Sequence, residues 1–193
     1  MNFPNYTLIA LFALGACASP QTPTTESKEA MEETTNAPAA VKNPTITVNL
    51  TPKGNSEMTG VVKFEEMEGV VHMEAGFENV TQGKHAIHFH EFGDCSAEDG
   101  SSAGGHWNPT NEDHGKWGVA PFHRGDIGNF EADNNGNATM KIQTDLWCLG
   151  CGDPIKDLVG KSIIIHAGED DCTSQPSGNA GARIACGVVE APM

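Results

Sequence analysis

Ile127-Gly-Asn-Phe-Glu-Ala132 and Ala138-Thr-Met-Lys-Ile-Gln-Thr144 flank Asp133-Asn-Asn-Gly-Asn137, and this stretch decides the fold class. In both arms apolar and polar residues tend to alternate, which is the period of a half-buried strand. The D-N-N-G-N segment supplies side chains that hydrogen-bond their own backbone, and a glycine free of the Cβ restriction. It reads as a turn, and the two arms read as a hairpin. Outward from it lie six more segments of the same kind: Thr45 to Leu50 (T-I-T-V-N-L), Thr59 to Phe64, Val70 to Phe77, Ala86 to His90, Ser162 to His166 and Arg183 to Val189. No amphipathic helical pattern interrupts them. Eight short strands divided by turn signals predict an all-β fold, a sandwich or a barrel. Two stretches break the rhythm, Glu91 to Arg124 and Ala167 to Ala182, both rich in Gly, Asp, Asn and Pro. Irregular loops this long in a compact domain are usually functional.

The chain of 193 residues is long enough for one domain with a substantial core, beginning near residue 44 and running to 193. Before it, Leu8 to Ala16 is an apolar run ending L-G-A-C, with Cys17 at the lipidation position. Residues 1–17 thus resemble a bacterial lipoprotein signal peptide with its lipobox, too short to remain as a membrane span. Met1 to Thr7 carry no Lys or Arg, so ordinary secretory cleavage near Ala18 is the competing reading. Residues 18–43 are rich in Thr, Pro, Ala and Glu without hydrophobic period, and read as a disordered tether. The net charge is −15, and residues 1–17 contribute no charged side chain to it. So acidic a chain excludes nucleic acid as a partner, and excludes a membrane except through the N-terminal anchor.

Six of the eight histidines form an ordered series that includes an aspartate: His88, His90, His106, His114, His123, Asp126 and His166. His88 and His90, two apart on an extended strand, project from one face and suit a single metal. Imidazole suits both zinc and copper, while the aspartate adds a hard oxygen that zinc accepts. Seven ligands are one short of two four-coordinate metals, and a shared histidine would supply the eighth contact.

The motifs H-F-H-E-F-G-D, G-H-W-N-P, H-x8-H-x2-D, I-I-H-A-G-E-D-D and G-N-A-G-A-R-I-A-C-G-V fall in order between Thr45 and Val189. Together they resemble copper–zinc superoxide dismutase in its bacterial exported form. The resemblance implies an eight-stranded Greek-key β-sandwich or flattened barrel with two long functional loops. It implies one copper per chain on His88, His90, His106 and His166, and one zinc on His106, His114, His123 and Asp126. His106 would bridge the metals and carry a proton during turnover. Arg183 would dock the superoxide anion, which copper converts to dioxygen and hydrogen peroxide. Asp170 would join His88 to His114 from behind the metals. The cell envelope of a bacterium is the implied location, facing the periplasm or the outside, with protection from superoxide as the role. A homodimer is compatible with the resemblance, but no apolar patch marks its surface.

The same resemblance pairs Cys95 with Cys186, tying the first long loop to the last strand. With Cys17 set aside for lipid, Cys148, Cys151 and Cys172 remain, an odd number in an oxidising compartment. Cys148-Leu-Gly-Cys151 can be a redox pair, a short-loop disulfide or half a metal site. The preferred pairing is Cys148–Cys151 with Cys172 free; a bridge from either one to Cys172 is the alternative. His85 is read as a scaffold histidine, His72 as an exposed strand residue, and Trp107, Trp117 and Trp147 as loop packing. A copper-binding module that delivers metal without catalysis is the alternative function. Such relatives usually lack zinc ligands or the docking arginine, both of which this chain keeps.

Overall fold

The computed structural model describes residues 43–192. The expected leader 1–17 with Cys17, and the expected tether as far as residue 42, lie outside them. Eight strands follow one another: β1 (Thr45–Pro52), β2 (Thr59–Met67), β3 (Val70–Glu78), β4 (Gly83–His90), β5 (Asp126–Ala132), β6 (Ala138–Thr144), β7 (Ser162–His166) and β8 (Arg183–Val188). The expected strands are all present, lengthened or shortened by a few residues at their ends. They hydrogen-bond in the order β5-β4-β7-β8-β1-β2-β3-β6, each pair antiparallel. β1 belongs to both halves: its first six residues pair with β2, while Thr51 and Pro52 pair with β8.

Side-chain alternation sorts the core. Ile46, Val48 and Leu50 of β1, Val62 and Phe64 of β2, and Val71, Met73, Ala75 and Phe77 of β3 are buried from one half. Ile87, Phe89, Ile127, Phe130, Ile163 and Ile165 meet them from the other. Each such side chain contributes roughly 1.5–3 kcal/mol on full burial.

The expected hairpin between β5 and β6 is not made. The D-N-N-G-N turn does form: the Asp133 amide donates to the Asn137 carbonyl at 2.9 Å, and Asp133 Oδ1 accepts from the amides of Asn135 and Asn137. Beyond it the arms part, β5 pairing with β4 and β6 with β3, so that they are the two ends of the ladder. The Val80 amide, in the β3–β4 connection, donates to the Gly136 carbonyl at 3.1 Å. Both connections therefore cross between the halves side by side, and a strand reaching this turn continues on the other sheet.

β4 from His85 onward and all of β7 are buried on both faces, unlike the half-exposed β1 to β3. The inward face packs in the core; the outward face is covered by the two long loops. Phe89 shows how. Its amide donates to the Gly125 carbonyl and its carbonyl accepts from the Trp107 amide, at 2.9 and 2.8 Å, so the first loop returns to β4 at Trp107 and again just past its end. A small separate cluster of Ala103, Ile164 and Cys186, with Cys95 against it, fastens the middle of that loop to β7 and β8. The Cys95–Cys186 and Cys148–Cys151 disulfides are both formed and Cys172 is free among the described residues, as the preferred pairing has it.

Of the three tryptophans, Trp107 and Trp147 are buried in the main core rather than confined to loop packing. His72 is half-buried on β3, not fully exposed. His85 is buried, its ring nitrogens facing the carbonyl oxygens of His166 at 2.9 Å and Thr81 at 2.8 Å, which fits a scaffold role.

Candidate metal centre

The outward face of β4 presents His88 and His90 together, and β7 ends in His166 beside them. The return of the first loop sets His106 opposite His90 in a short bridge. These four rings converge, with one nitrogen of each within 4.8 Å of the others. The rest of the first loop brings His114 and His123 to Asp126, the first residue of β5, and His106 is common to both groups. All seven expected ligands thus fall into two clusters that share one ring.

The structure allows a direct test of whether these groups fit cations. Six ring nitrogens are buried without a hydrogen-bond partner: His88 Nδ1, His90 Nε2, His106 Nε2, His114 Nδ1, His123 Nδ1 and His166 Nε2. A buried polar atom left unsatisfied costs about 1–3 kcal/mol, so a concentration of six needs a compensating ligand. On His90 and His166 the opposite nitrogens are held. His90 Nδ1 faces the Gly104 carbonyl at 3.0 Å and His166 Nδ1 faces the Gly181 carbonyl at 3.1 Å. These contacts turn the free nitrogens toward the cluster centre, as metal-bound imidazoles require.

In the second cluster, Asp126 Oδ1 lies 2.8 Å from His106 Nδ1, 3.0 Å from His114 Nδ1 and 3.1 Å from His123 Nδ1. The last two have the distance of a hydrogen bond but not its direction, because those nitrogens count as unpartnered. Their lone pairs point into the space between the four atoms. A tetrahedral ion with bonds of about 2.0–2.1 Å separates its ligand atoms by about 3.3 Å, close to what is seen. Asp126 Oδ2 accepts from the amides of His123 at 2.8 Å and Gly115 at 3.0 Å, which aims Oδ1 at the rings.

Ionisation agrees with this reading at His90, His106 and His166. Burial first, then neighbouring His106, pushes His90 down to about 2. Burial likewise lowers His166 to about 3 and His106 to about 4. Neutral imidazole is the form that binds a cation. Burial opposes ionisation of Asp126, yet the side-chain contacts to His106, His114 and His123 outweigh it and hold the carboxyl well below its ordinary range. His114 goes the other way: burial would lower it, but the adjoining Asp126 carboxylate and the hydrogen bond to Asp170 raise it to about 9. His106 has one carboxylate beside it and faces His88; His114 sits between two carboxylates, which explains the opposite signs.

Asp170 is fully buried behind both clusters, Oδ2 at 2.9 Å from His88 Nε2 and Oδ1 at 2.9 Å from His114 Nε2. Three residues that the sequence reading missed hold this arrangement. The Asn129 side chain bonds the Asp170 backbone at both ends, accepting from its amide at 2.8 Å and donating to its carbonyl at 2.9 Å. The Gln175 side chain does the same for His114, with both contacts at 2.9 Å. Gly178, at φ +68, leaves space that a Cβ would fill, since that atom would fall 1.7 Å from Asp170 Oδ1. Asp170→Asn, which keeps the shape but loses an acceptor, is expected to weaken metal affinity at both clusters by about 10–100-fold. Competition with a coloured chelator measures this, and unchanged affinity at either cluster would remove Asp170 from that role.

Arg183 opens β8 directly across from His166. Its guanidinium is half-buried and donates to the Gly100 carbonyl at 2.7 Å and the Gly104 carbonyl at 2.6 Å. Both carbonyls belong to the loop segment that the Cys95–Cys186 bridge anchors. Arg183 lines an open cavity of about 560 Å³ together with His90, His106, His166 and Gln175. One fixed cation therefore stands beside the four-histidine cluster where that cluster meets solvent.

Comparison with known proteins points the same way. The family described as copper/zinc superoxide dismutase (SODC) matches residues 58–189. The Cu-Zn superoxide dismutase of Schizosaccharomyces pombe is 38% identical over 146 residues, covering 71% of this chain and 92% of its own length. That of Caulobacter vibrioides is 38% identical over 141 residues, covering 71% and 81%. A copper chaperone for superoxide dismutase from Rattus norvegicus is 33% identical over 147 residues, and the match spans 71% of this chain but only 50% of the chaperone. Among solved structures, the clock protein EA4 superposes with a TM-score of 0.67 at 28% identity, over 79% of this chain and 97% of that one. Two clusters sharing one histidine, on an eight-stranded sandwich that matches across residues 58–189, place this chain in the copper/zinc superoxide dismutase family, which binds copper and zinc.

Proposed function

We propose that this chain dismutates superoxide to dioxygen and hydrogen peroxide. In this reading His88, His90, His106 and His166 hold copper, and His106, His114, His123 and Asp126 hold zinc. The observation that carries it is Arg183 beside the four-histidine cluster, on the cavity through which that cluster reaches solvent. A metal kept only for structure, or for transfer, needs no fixed cation there.

Bound copper supplies a one-electron couple to which one superoxide gives an electron and from which the next takes one, while bound zinc supplies a fixed divalent charge. The chain's own residues do the rest. Arg183 uses two donors on backbone carbonyls and keeps others of its five for an anion. Burial lowers its pKa, but from so high a starting value that it stays charged. Glu112 and Asp113 line the same cavity on a chain of net charge −15, so Arg183 is the cation that draws an anionic substrate to the histidines against that background. His106 offers Nδ1 to one cluster and Nε2 to the other, and Nε2 is the atom suited to take up and hand on a proton that peroxide requires. Asp126 and the loop keep the ring in place while it does so.

Metal-loaded protein should consume superoxide far faster than buffer free of protein and metal. Arg183→Ala should lower kcat/KM by about 10–100-fold with metal content unchanged, and added salt should narrow the difference. Loaded wild type no faster than buffer would defeat the reading, and full activity in the variant would defeat the role of Arg183. The copper chaperone matches favour a second reading, delivery of metal without turnover. The complete ligand set and Arg183 weigh against it.

The reading extends to place. The apolar run ending at Cys17 supports export with a lipid anchor, and residues 18–43 would tether the anchor to the domain at 44–193. Protection of a bacterial cell envelope follows from that location.

A further inference from the structure

The C-x-x-C bridge takes no part in the metal centre, and its surroundings differ from those of the other disulfide. Cys148 is buried and Cys151 exposed. The bridge spans a separation of only 3, against 91 for Cys95–Cys186, so it constrains the unfolded chain far less.

The segment around it is held without the sulfurs. The Cys148 amide donates to the Lys156 carbonyl at 2.9 Å and its carbonyl accepts from the Leu158 amide at 3.1 Å. The Asp157 carboxylate accepts from the amides of Gly150, Gly152 and Val159 at 2.7–3.0 Å. The Leu149 amide donates to Glu66 on β2, while Trp147, Leu149 and Leu158 are buried in the core. This network would survive scission of the bridge. The Cys95–Cys186 bridge lies in the small cluster that fastens a metal-bearing loop, with Cys186 itself fully buried. Its opening would release much more.

We propose that Cys148–Cys151 is a thiol–disulfide exchange site, open to small neutral thiols and dithiols, whose two redox states share one fold. A thiolate attacks exposed Cys151 Sγ and forms a mixed disulfide there. The Cys148–Cys151 bond breaks, and Cys148 leaves as a thiolate that takes a proton from water. A second thiol then displaces Cys151, giving the donor's disulfide and two protein thiols, a transfer of two electrons and two protons. In the reverse direction the same exposed sulfur is the nucleophile, and the Asp153 amide, 3.4 Å from Cys151 Sγ, favours its thiolate. Two features set the choice of donor. Asp157 and Glu66 place carboxylates on the amides beside the two cysteines, on a chain already at −15. The attacking glutathione thiolate carries carboxylate charge besides its sulfur and is repelled more strongly than the singly charged thiolate of a dithiol such as dithiothreitol.

The test uses full-length, metal-loaded protein in graded dithiothreitol, then rapid alkylation and peptide mapping. Cys148 and Cys151 should become labelled at about tenfold less reductant than Cys95 and Cys186, with the near-UV circular dichroism and bound metal retained at that point. Joint opening of the two bridges, later opening of Cys148–Cys151, or loss of the folded signal with it would overturn the proposal. The single variants check the direction of attack. In Cys148→Ser the remaining Cys151 should form a mixed disulfide with cystamine in native buffer, and in Cys151→Ser the buried Cys148 should not. Equal reactivity of the two would contradict attack at Cys151. Glutathione, compared at equal thiolate concentration, should open the bridge more slowly than dithiothreitol, and the gap should close with salt. No difference between them would remove the charge selectivity. Superoxide turnover is not the readout, so failure here is distinct from failure of the activity proposed above.

Discussion

His106→Ala is expected to empty both metal sites to a degree that no other single ligand change matches. His106 is the only residue common to the two clusters, with Nδ1 2.8 Å from Asp126 Oδ1 and Nε2 buried without a partner on the other side. A structural site of this kind is worth about 10–16 kcal/mol. One ligand in four is then roughly 3 kcal/mol, or on the order of 100-fold in affinity. His106→Ala takes that loss at both clusters, and it also removes the ring proposed above to carry the proton. His114→Ala takes it at one cluster, and leaves Asp170 still bonded to His88. Metal per chain after dialysis against a chelator, with superoxide consumption of the same samples, separates the two. Equal metal retention and equal activity in the two variants would refute the sharing of His106.

The second large effect concerns stability. Replacing Cys95 and Cys186 by serine removes a closure across a separation of 91 and should cost about 4–5 kcal/mol by the chain-entropy relation. That is a large part of the 5–15 kcal/mol typical of a domain. The same relation gives only about 2 kcal/mol for Cys148 and Cys151, separated by 3. Activity should fall as well in the first variant, because the segment from Cys95 to Gly104 carries the two carbonyls that orient Arg183. Urea unfolding of metal-free protein gives the comparison. Equal losses for the two double variants would mean that loop closure is not what the long bridge contributes.

The strands were legible because their alternation follows directly from one face being buried. Thr45 to Leu50 shows it most cleanly, with Ile46, Val48 and Leu50 all in the core. The partner of each strand was not legible. The D-N-N-G-N turn specifies a reversal, and nothing in its residues says that the two arms go to different sheets. That is decided by the Gly136 carbonyl meeting Val80 and by the ladders with β3 and β4. The metal ligands were legible from residue type and order, since imidazole and carboxylate carry the chemistry themselves. Their supports were not. Asn129 and Gln175 act on backbone groups 41 and 61 positions away, and an isolated amide side chain in a polar loop carries no mark of such a contact. Gly178 was equally silent, because its importance is the closeness of Asp170 rather than anything local.

Diffraction from metal-loaded crystals, with anomalous differences recorded at the copper and zinc edges, tests the shared centre most directly. One copper is expected within bonding distance of His88 Nδ1, His90 Nε2, His106 Nε2 and His166 Nε2. One zinc is expected at His106 Nδ1, His114 Nδ1, His123 Nδ1 and Asp126 Oδ1, the atoms already gathered there. A single metal, or two metals with His106 bonded to only one of them, would contradict the account.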